Sequence, residues 1–327
     1  MTARTDLASL IPARTLTPIA GRYAVAAIPG AGGHLVGRDD QGRACILLGS
    51  LDSGVRPPIR LGGLDVQYAL SCTVRFGKSD ETRVLSVVTS TNNSVDDERY
   101  FLHVMSALLD LVGPTPSLDD LAQAITELAG IFQRLSRASR ESVTGITGEL
   151  LLIACASDPV AASAAWRTDP DDRYDFAAEG LRLEVKSTSS RRRLHGFSYE
   201  QADVPSACHG VVASIFIEPS AGGTTLEQLI LRIASRLAST PAAIFRIEQI
   251  LAATLGSDLP DALGFAFDME LALSELSFFD LREIPAIRSL PPMVTQVRFA
   301  ADLSTTPALD IATMIASCPA MAALAPA

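Results

Sequence analysis

Residues 172–190 contain the feature that most restricts the fold of this chain. The segment reads DRYDFAAEGLRLEVKSTSS. Two short apolar runs flank Glu179-Gly180, and this pattern is typical of a β-hairpin turn. If the loop consists of those two residues, Ala178 pairs with Leu181. A four-residue loop keeps this pairing, whereas a three-residue loop would shift it by one position.

The expected pairing places Asp175 directly opposite Glu184. Opposed residues of a hairpin point to the same face of the sheet, with their Cβ atoms about 5 Å apart. Alternation along the second strand turns Leu181, Leu183 and Val185 towards a core. Arg182, Glu184 and Lys186 then face the other way. The sequence therefore predicts one polar face that carries Asp175, Glu184 and Lys186.

Two neighbouring carboxylates repel each other unless one is protonated or a cation lies between them. Mg²⁺ binds one or two carboxylates and completes its octahedron with water. Such an ion polarises a phosphate and lowers the pKa of a bound water. An ammonium group with a tunable pKa suits the neighbouring position better than a guanidinium does. The chain has two lysines, Lys78 and Lys186, in an otherwise arginine-rich set of cations.

The Asp-x₈-Glu-x-Lys hairpin resembles the PD-(D/E)XK nuclease superfamily, which includes many restriction endonucleases. Residues 145–153, GITGELLLI, resemble the helix that often carries a further active-site glutamate, here Glu149. Residues 195–201, HGFSYEQ, also fit the pattern. Together these segments are similar to a bacterial family of PD-(D/E)XK motif proteins found among restriction and phage-defence genes.

This resemblance implies a role for each residue of the motif. Asp175 and Glu184 would be metal ligands, and the Val185 carbonyl would supply another oxygen. Lys186 would be the catalytic lysine, and Glu149 would complete the catalytic and metal site. A simpler interpretation of Glu149 is an acid in an early turn of a helix, where it favours the helix dipole.

The motif departs from the family pattern at its proline. Tyr174 stands where the motif has proline, and a literal Pro-Asp occurs earlier, at Pro170-Asp171. We favour Asp175 because of its register in the hairpin. Asp171 and Asp172 remain alternatives.

The resemblance also implies a restriction-endonuclease-like α/β (α+β) core, in which helices flank a mixed sheet. Residues 1–92 have short apolar or alternating runs separated by Gly and Pro, which predicts a β-rich N-terminal module, either an antiparallel sheet or a small barrel. Residues 93–327 alternate between helical and strand periodicity and are assigned to the nuclease-like domain. The glycine-rich stretch at 30–34 is not a phosphate loop, because no GK[ST] follows it.

A basic run follows the second strand of the hairpin and is the candidate nucleic-acid contact. The candidate residues are Arg191, Arg192, Arg193, His195, Ser198 and Gln201. A solvated loop explains the arginines equally well, and a simple helix start explains Ser198 and Gln201 equally well.

Composition excludes several other classes of protein. The net charge of -10 argues against a general nucleic-acid coat protein, although one positive face would suffice for a DNA enzyme. The five cysteines are odd in number and have no CxxC spacing, so a zinc site or disulfide framework is not expected. The N-terminus is a poor signal peptide, and no apolar run approaches the ~20 residues of a membrane span. A cytoplasmic protein is expected.

The sequence thus predicts a Mg²⁺-dependent DNA endonuclease, with Mn²⁺ as an alternative metal, that acts in restriction or phage defence. The need to cut two strands suggests a homodimer or a complex with other restriction or defence proteins. The main alternative is a non-catalytic DNA-binding or assembly subunit of such a complex. The intact Asp175, Glu184 and Lys186 set argues against that alternative.

Overall fold

The computed structural model describes residues 6–14, 21–92, 94–135, 137, 139 and 142–326. The described residues form two compact units. The first unit comes from 1–138 and 244–261, and the second from 139–243 and 262–327. The sequence-based boundary at 92/93 stays a prediction, and the first unit also contains helices that follow this boundary.

The described helices and strands are, in chain order, α1 Leu7–Leu10, β1 Arg22–Ala27, β2 Leu35–Arg38, β3 Ala44–Leu48, β4 Ile59–Leu61, β5 Leu64–Phe76, β6 Ser79–Ser90, α2 Val95–Val112, α3 Leu118–Leu135, α4 Val143–Cys155, α5 Pro159–Ala165, β7 Phe176–Ala178, β8 Leu181–Thr188, β9 Leu194–Ser198, α6 Tyr199–Ala202, β10 His209–Phe216, β11 Pro219–Thr225, α7 Leu226–Arg236, α8 Pro241–Leu255, α9 Leu259–Ala262, β12 Ala266–Phe267, α10 Met269–Ser274, β13 Ser277–Asp280, β14 Arg298–Asp302, α11 Ile311–Ser317 and α12 Pro319–Leu324.

The first unit contains a six-stranded sheet in the order β1-β2-β3-β6-β5-β4. The neighbours in this order pair antiparallel, and β1 also pairs parallel with β5, which curls the sheet towards a barrel. Alternate side chains fill its interior, as expected for strands with one buried face. These are Val25, Leu35, Cys45, Leu47, Cys72, Val74, Leu85 and Val87. This sheet agrees with the expected β-rich module.

Two long amphipathic helices follow the sheet in the same unit. Ser94 caps α2 by accepting a hydrogen bond from the Asp97 amide, and Ser117 accepts one from the Asp120 amide at the start of α3. The ring of Phe132 on α3 packs edge-on against that of Phe101 on α2.

The second unit is built on a four-stranded mixed sheet in the order β13-β10-β8-β7. β8 and β10 are parallel, and β7 and β13 are antiparallel edge strands. Glu184 lies beside Val212, which in turn lies beside Phe279. These three residues therefore share one face of the sheet.

The opposite face of this sheet packs against α4. This helix is apolar nearly all round, as a fully buried helix must be. Gly148 allows the close approach, since a Cβ there would lie 1.9 Å from Ser187 Oγ and 3.3 Å from Val185 Cγ1. The close packing of α4 on β8 brings the next residue, Glu149, to the site described below.

The Glu184 face is covered by a two-stranded ribbon of β9 and β14, in which Ser198 pairs with Arg298 and Leu194 with Asp302. Phe197, Ala301 and Leu303 of this region pack with Val212 and Phe279 in one buried cluster. The ribbon therefore covers part of the predicted polar face, and Glu184 on that face is only 4% exposed.

The α+β class and the mixed sheet flanked by helices are confirmed. Asp268 caps the short helix α10, and the edge strand β13 follows at Ser277. Within the described residues, no helix combines the length and apolar character needed to cross a membrane.

Candidate active site

The hairpin of β7 and β8 has the register expected from the sequence. Ala178 pairs with Leu181, and Phe176 pairs with Leu183. Gly180 has a φ of 69°, a left-handed conformation that glycine adopts without strain. Continued by one residue beyond β7, this register would place Asp175 opposite Glu184. The Val185 amide donates a hydrogen bond of 2.7 Å to Asp175 Oδ2.

Glu184 is the centre of the polar contacts on β8. Its Oε1 accepts hydrogen bonds from Lys186 Nζ and from Gln201 Nε2, each at 2.6 Å. Lys186 Nζ also lies 5.1 Å from the ring centroid of Phe197, and this cation–π contact helps to fix the ammonium. Glu184 Oε2 is buried and has no hydrogen-bond partner among the described residues.

Glu149 lies behind Asp175 and is held by two residues that follow α5. Its Oε2 accepts from Trp166 Nε1 at 2.6 Å and from Arg167 Nε at 3.0 Å. Its Oε1 accepts from Arg167 Nη2, also at 3.0 Å. Arg167 Nε is in addition 3.6 Å from Asp175 Oδ1. The buried guanidinium therefore links the carboxylates of Glu149 and Asp175.

The crowding of carboxylates perturbs their ionisation. Burial, and then repulsion by Glu149 and Glu184, raises the pKa of Asp175 well above its usual value, although the Val185 amide and Arg167 oppose this shift. Burial also raises the pKa of Glu184, against the attraction of Lys186. A cation bound between the two acids would favour the loss of a proton from each of them.

Asp175, Glu184 and Lys186 lie in a cleft of about 880 Å³ within the second unit. Its lining includes Pro170, Asp171, Asp172, Arg173, Gly196, Phe197, Ser198, Glu200, Gln201, Gln296 and Arg298. The alternatives Asp171 and Asp172 are therefore near the site. Asp172 Oδ2, however, accepts hydrogen bonds from the Thr168 and Asp169 amides and so stabilises its own loop.

The residue in the position of the motif's proline has a structural role. The Tyr174 hydroxyl donates to the Gln201 carbonyl at 3.2 Å. Arg173 stacks 5.1 Å from the ring of Tyr174 and donates to the carbonyls of Glu200 and Asp203. Tyr174 thereby ties the bend that leads to Asp175 and β7 to the short helix α6.

The six predicted nucleic-acid contacts fall into three groups. Arg191 and Arg192 have side chains that are 70% and 71% exposed, and they pair with Glu218 and Asp302. Ion pairs this exposed are weak, so both arginines can exchange their partners for phosphates.

Arg193 is instead half-buried, and His195 is buried. Arg193 donates to Ser214 Oγ and Ser277 Oγ, and its guanidinium lies over the Phe216 ring. His195 Nε2 is 2.8 Å from Ser214 Oγ. Burial, with repulsion from Lys186 and Arg193, lowers the pKa of His195 to about 4. His195 is neutral at neutral pH, and neither side chain is presented to a phosphate in this arrangement.

Ser198 and Gln201 form the helix start that was one of the two interpretations of these residues, and their contact with a nucleic acid stays a prediction. Ser198 Oγ accepts from the Gln201 amide, and Gln201 Oε1 accepts from the Ser198 amide, which forms a capping box at the start of α6. The other end of the Gln201 side-chain amide donates to Glu184. The helix start therefore serves to hold Gln201 against the site.

Asp175 and Glu184 fit a divalent cation by one criterion of this structure: a buried carboxylate oxygen, Glu184 Oε2, that lacks a partner. Oxygen is the donor that Mg²⁺ prefers. No set of three or more His, Cys, Asp or Glu side chains in the described part of the chain is arranged for a metal ion. The Val185 amide contacts Asp175, and a role of the Val185 carbonyl as a ligand stays a prediction.

A carboxylate pair and a lysine on a hairpin, backed by a buried glutamate from a helix, define the site of a nuclease-like protein of the PD-(D/E)XK class. A family model supports this class, since it matches residues 27–304. The chain belongs to this family, which is described as "Putative PD-(D/E)XK family member, (DUF4420)". No curated protein and no solved structure matches the chain significantly.

Sequence reasoning missed three residues of this region, namely Trp166, Arg167 and Arg298. Trp166 is the single tryptophan of the chain, and it directly precedes Arg167 in a short link between α5 and β7. That pair of residue types before the motif was the available signal. The sequence around Arg298 gave no such signal, because this residue reaches the cleft only through the pairing of β14 with β9.

Proposed function

We propose that this protein is a Mg²⁺-dependent DNA endonuclease that hydrolyses phosphodiester bonds. The observation that carries the proposal is the juxtaposition of Asp175 and Glu184 in a cleft, with Lys186 Nζ 2.6 Å from Glu184 Oε1. A bound Mg²⁺, or Mn²⁺ in its place, would supply Lewis-acid polarisation of the phosphate and a more acidic water.

The other requirements of phosphodiester hydrolysis would be met by the protein's own side chains. Asp175 and Glu184 would hold the cation. Lys186 has an 18% exposed side chain, so its ammonium can reach the cleft and place positive charge beside a phosphate oxygen. Gln201 and Lys186 both bind Glu184 Oε1, whereas Oε2 has no hydrogen-bond partner among the described residues and would be available to a cation.

Arg298 is the best candidate for a phosphate contact within the cleft. It is exposed, lines the cleft from β14, and has no ion-pair partner among the described residues. Arg191 and Arg192 lie beyond the end of β8 and would extend the contact along a DNA backbone. A few such positive groups suffice for binding despite the acidic net charge.

The wider context of the activity is part of the same proposal. We place the enzyme in the cytoplasm, in restriction or phage defence, as a homodimer or in a complex with other defence proteins. Cutting both strands of a duplex requires two active sites or two successive events, which favours such an assembly. The β-rich N-terminal module would bind DNA or a partner.

Cleavage of supercoiled plasmid with Mg²⁺, Mn²⁺ or EDTA tests the proposal. Asp175→Ala and Lys186→Ala should abolish metal-dependent nicking or linearisation. Lys78→Ala, which changes the only other lysine, and Asp171→Ala, which removes a neighbouring acid, should retain it. Activity that survives in both Asp175→Ala and Lys186→Ala would reject this site. DNA binding without cleavage by the unmodified protein would favour the non-catalytic subunit.

A further inference from the structure

Glu149 was expected to complete the metal site, yet its carboxylate is already occupied by hydrogen bonds. Three N–H donors from Trp166 and Arg167 reach its two oxygens at 2.6–3.0 Å. Two of them belong to one guanidinium, in the bidentate geometry that is strongest for an arginine–carboxylate pair. Glu149 is 3% exposed and Arg167 4% exposed, so the pair is almost fully removed from solvent.

Arg167 also determines how Asp175 is presented. Its backbone N–H donates to the Asp175 carbonyl at 2.8 Å, and its Nε is 3.6 Å from Asp175 Oδ1. The Val185 amide binds the other carboxylate oxygen, Oδ2, at 2.7 Å. Asp175 is therefore constrained on both oxygens, by the guanidinium on one side and by the strand on the other.

Glu184 provides the contrast. Its Oε1 has two donors, but its buried Oε2 has none among the described residues. If Glu149 became a ligand, its oxygens would have to bind the cation beside the three N–H donors that they already accept from, two of them on the positive guanidinium of Arg167. If Glu184 became a ligand, an unsatisfied oxygen would gain a partner.

We propose that Glu149 and Arg167 are positioning residues rather than metal ligands, and that the site holds one divalent cation on Asp175 and Glu184. Glu149 orients the guanidinium of Arg167, and Arg167 in turn orients Asp175. This inference rests on the proposed nuclease function, since it specifies the number of ions and the role of the helix glutamate in that site.

Titration of the full-length protein with Mn²⁺ in the absence of DNA tests this assignment, with calorimetry and the paramagnetic resonance of free Mn²⁺ as readouts. The decisive variant is the double substitution Glu149→Gln with Arg167→Met. It removes both members of the ion pair together, so neither is left buried without the other, and Asp175 keeps its hydrogen bond from the Val185 amide. The substituted amide oxygen can still accept from Trp166. Asp175→Asn and Glu184→Gln are the matched ligand variants. Fluorescence of Trp166 checks that each variant is folded.

We expect one Mn²⁺ per chain for the unmodified protein. Asp175→Asn and Glu184→Gln should each weaken its binding by more than ~10-fold, whereas the double variant keeps one site within about 5-fold of the original affinity. Plasmid cleavage by the double variant should fall about 10–100-fold in kcat at saturating Mn²⁺, with little change in KM, because Asp175 is bound but less well oriented. Arg167→Lys should fall by less, because it keeps a cation beside Asp175.

Two results would overturn the assignment while leaving the nuclease in place. One is a second Mn²⁺ in the unmodified protein that the double variant loses. The other is a loss of affinity in the double variant as large as that in Asp175→Asn. An unchanged kcat in the double variant would refute the positioning role. Failure of the unmodified protein to bind Mn²⁺ and to cleave DNA would instead reject the proposed function itself, and this inference with it.

Discussion

The buried, neutral state of His195 leads to a quantitative prediction for acid stability. The pKa of His195 is lowered from 6.5 to about 4 in the folded protein, first by burial and then by Lys186 and Arg193. The unfolded chain binds a proton near pH 6.5, whereas the folded chain resists it until about pH 4. Protons therefore favour the unfolded state as the pH falls through this window, and the stability that is complete above pH 6.5 is progressively lost.

The size of this effect follows from the shift. A difference of about 2.5 pKa units corresponds to about 3 kcal/mol at ~1.4 kcal/mol per unit. His195 is 4% exposed, so solvent screening does not reduce the figure much. The loss should be nearly complete by about pH 4, because the folded form also takes up the proton below that pH.

Urea unfolding in EDTA between about pH 4 and 7.5 measures this loss, followed by the fluorescence of Trp166. This is the only tryptophan, and it lies in the same compact unit as His195. The free energy of unfolding of the unmodified protein should fall by about 3 kcal/mol more over this range than that of His195→Gln. His209→Gln, at the start of β10, is the control and should behave like the unmodified protein. A difference below ~1 kcal/mol, or an NMR titration of His195 near its ordinary pKa of about 6.5, would refute the reasoning.

Three further predictions concern catalysis, packing and metal binding. Lys186→Met should lower kcat for plasmid cleavage by at least ~100-fold while gel-shift affinity for DNA in Ca²⁺ is retained, and equal loss of binding would contradict a catalytic role. Gly148→Ala should destabilise the protein by about 1–3 kcal/mol in thermal unfolding, because its Cβ would meet Ser187 and Val185. Gly130→Ala in α3, where nothing lies within 4 Å, should be neutral or stabilising, and equal losses would show that contact is not the cause. Mg²⁺ at about ten times its dissociation constant should stabilise the protein by about 1.4 kcal/mol relative to NaCl of equal ionic strength, and Glu184→Gln should lose this increment.

The local part of the site could be predicted from the sequence. Gly180 in a two-residue loop fixes the register of the hairpin, and that register directs the chain before β7, which carries Asp175, towards Glu184. The apolar run around Glu149 likewise predicts a buried helix beside the sheet. Both inferences depend on residues within a few positions of each other, where periodicity and turn chemistry are informative.

The long-range part of the site could not be predicted in this way. Nothing local indicates that Arg167 would bind Glu149, or that Arg193 would be buried against Ser214 and Ser277 rather than exposed with its two neighbours. A run of three arginines carries the same local signal at each position. Only the tertiary fold distinguishes the three positions. β9 begins at Leu194, and Arg193, which directly precedes it, turns towards Ser214 and Ser277.

The ribbon of β9 and β14 has a consequence for the order in which the protein becomes competent. Its paired residues lie 100 to 108 positions apart along the chain, so the ribbon closes late compared with the β7–β8 hairpin. During synthesis, the carboxylates and Lys186 emerge well before the strand that carries Arg298. We expect a nascent chain to possess the catalytic residues but not the cleft that would hold a nucleic acid beside them. Because β14 completes the cleft and is synthesised late, the site stays incomplete until that strand has been made.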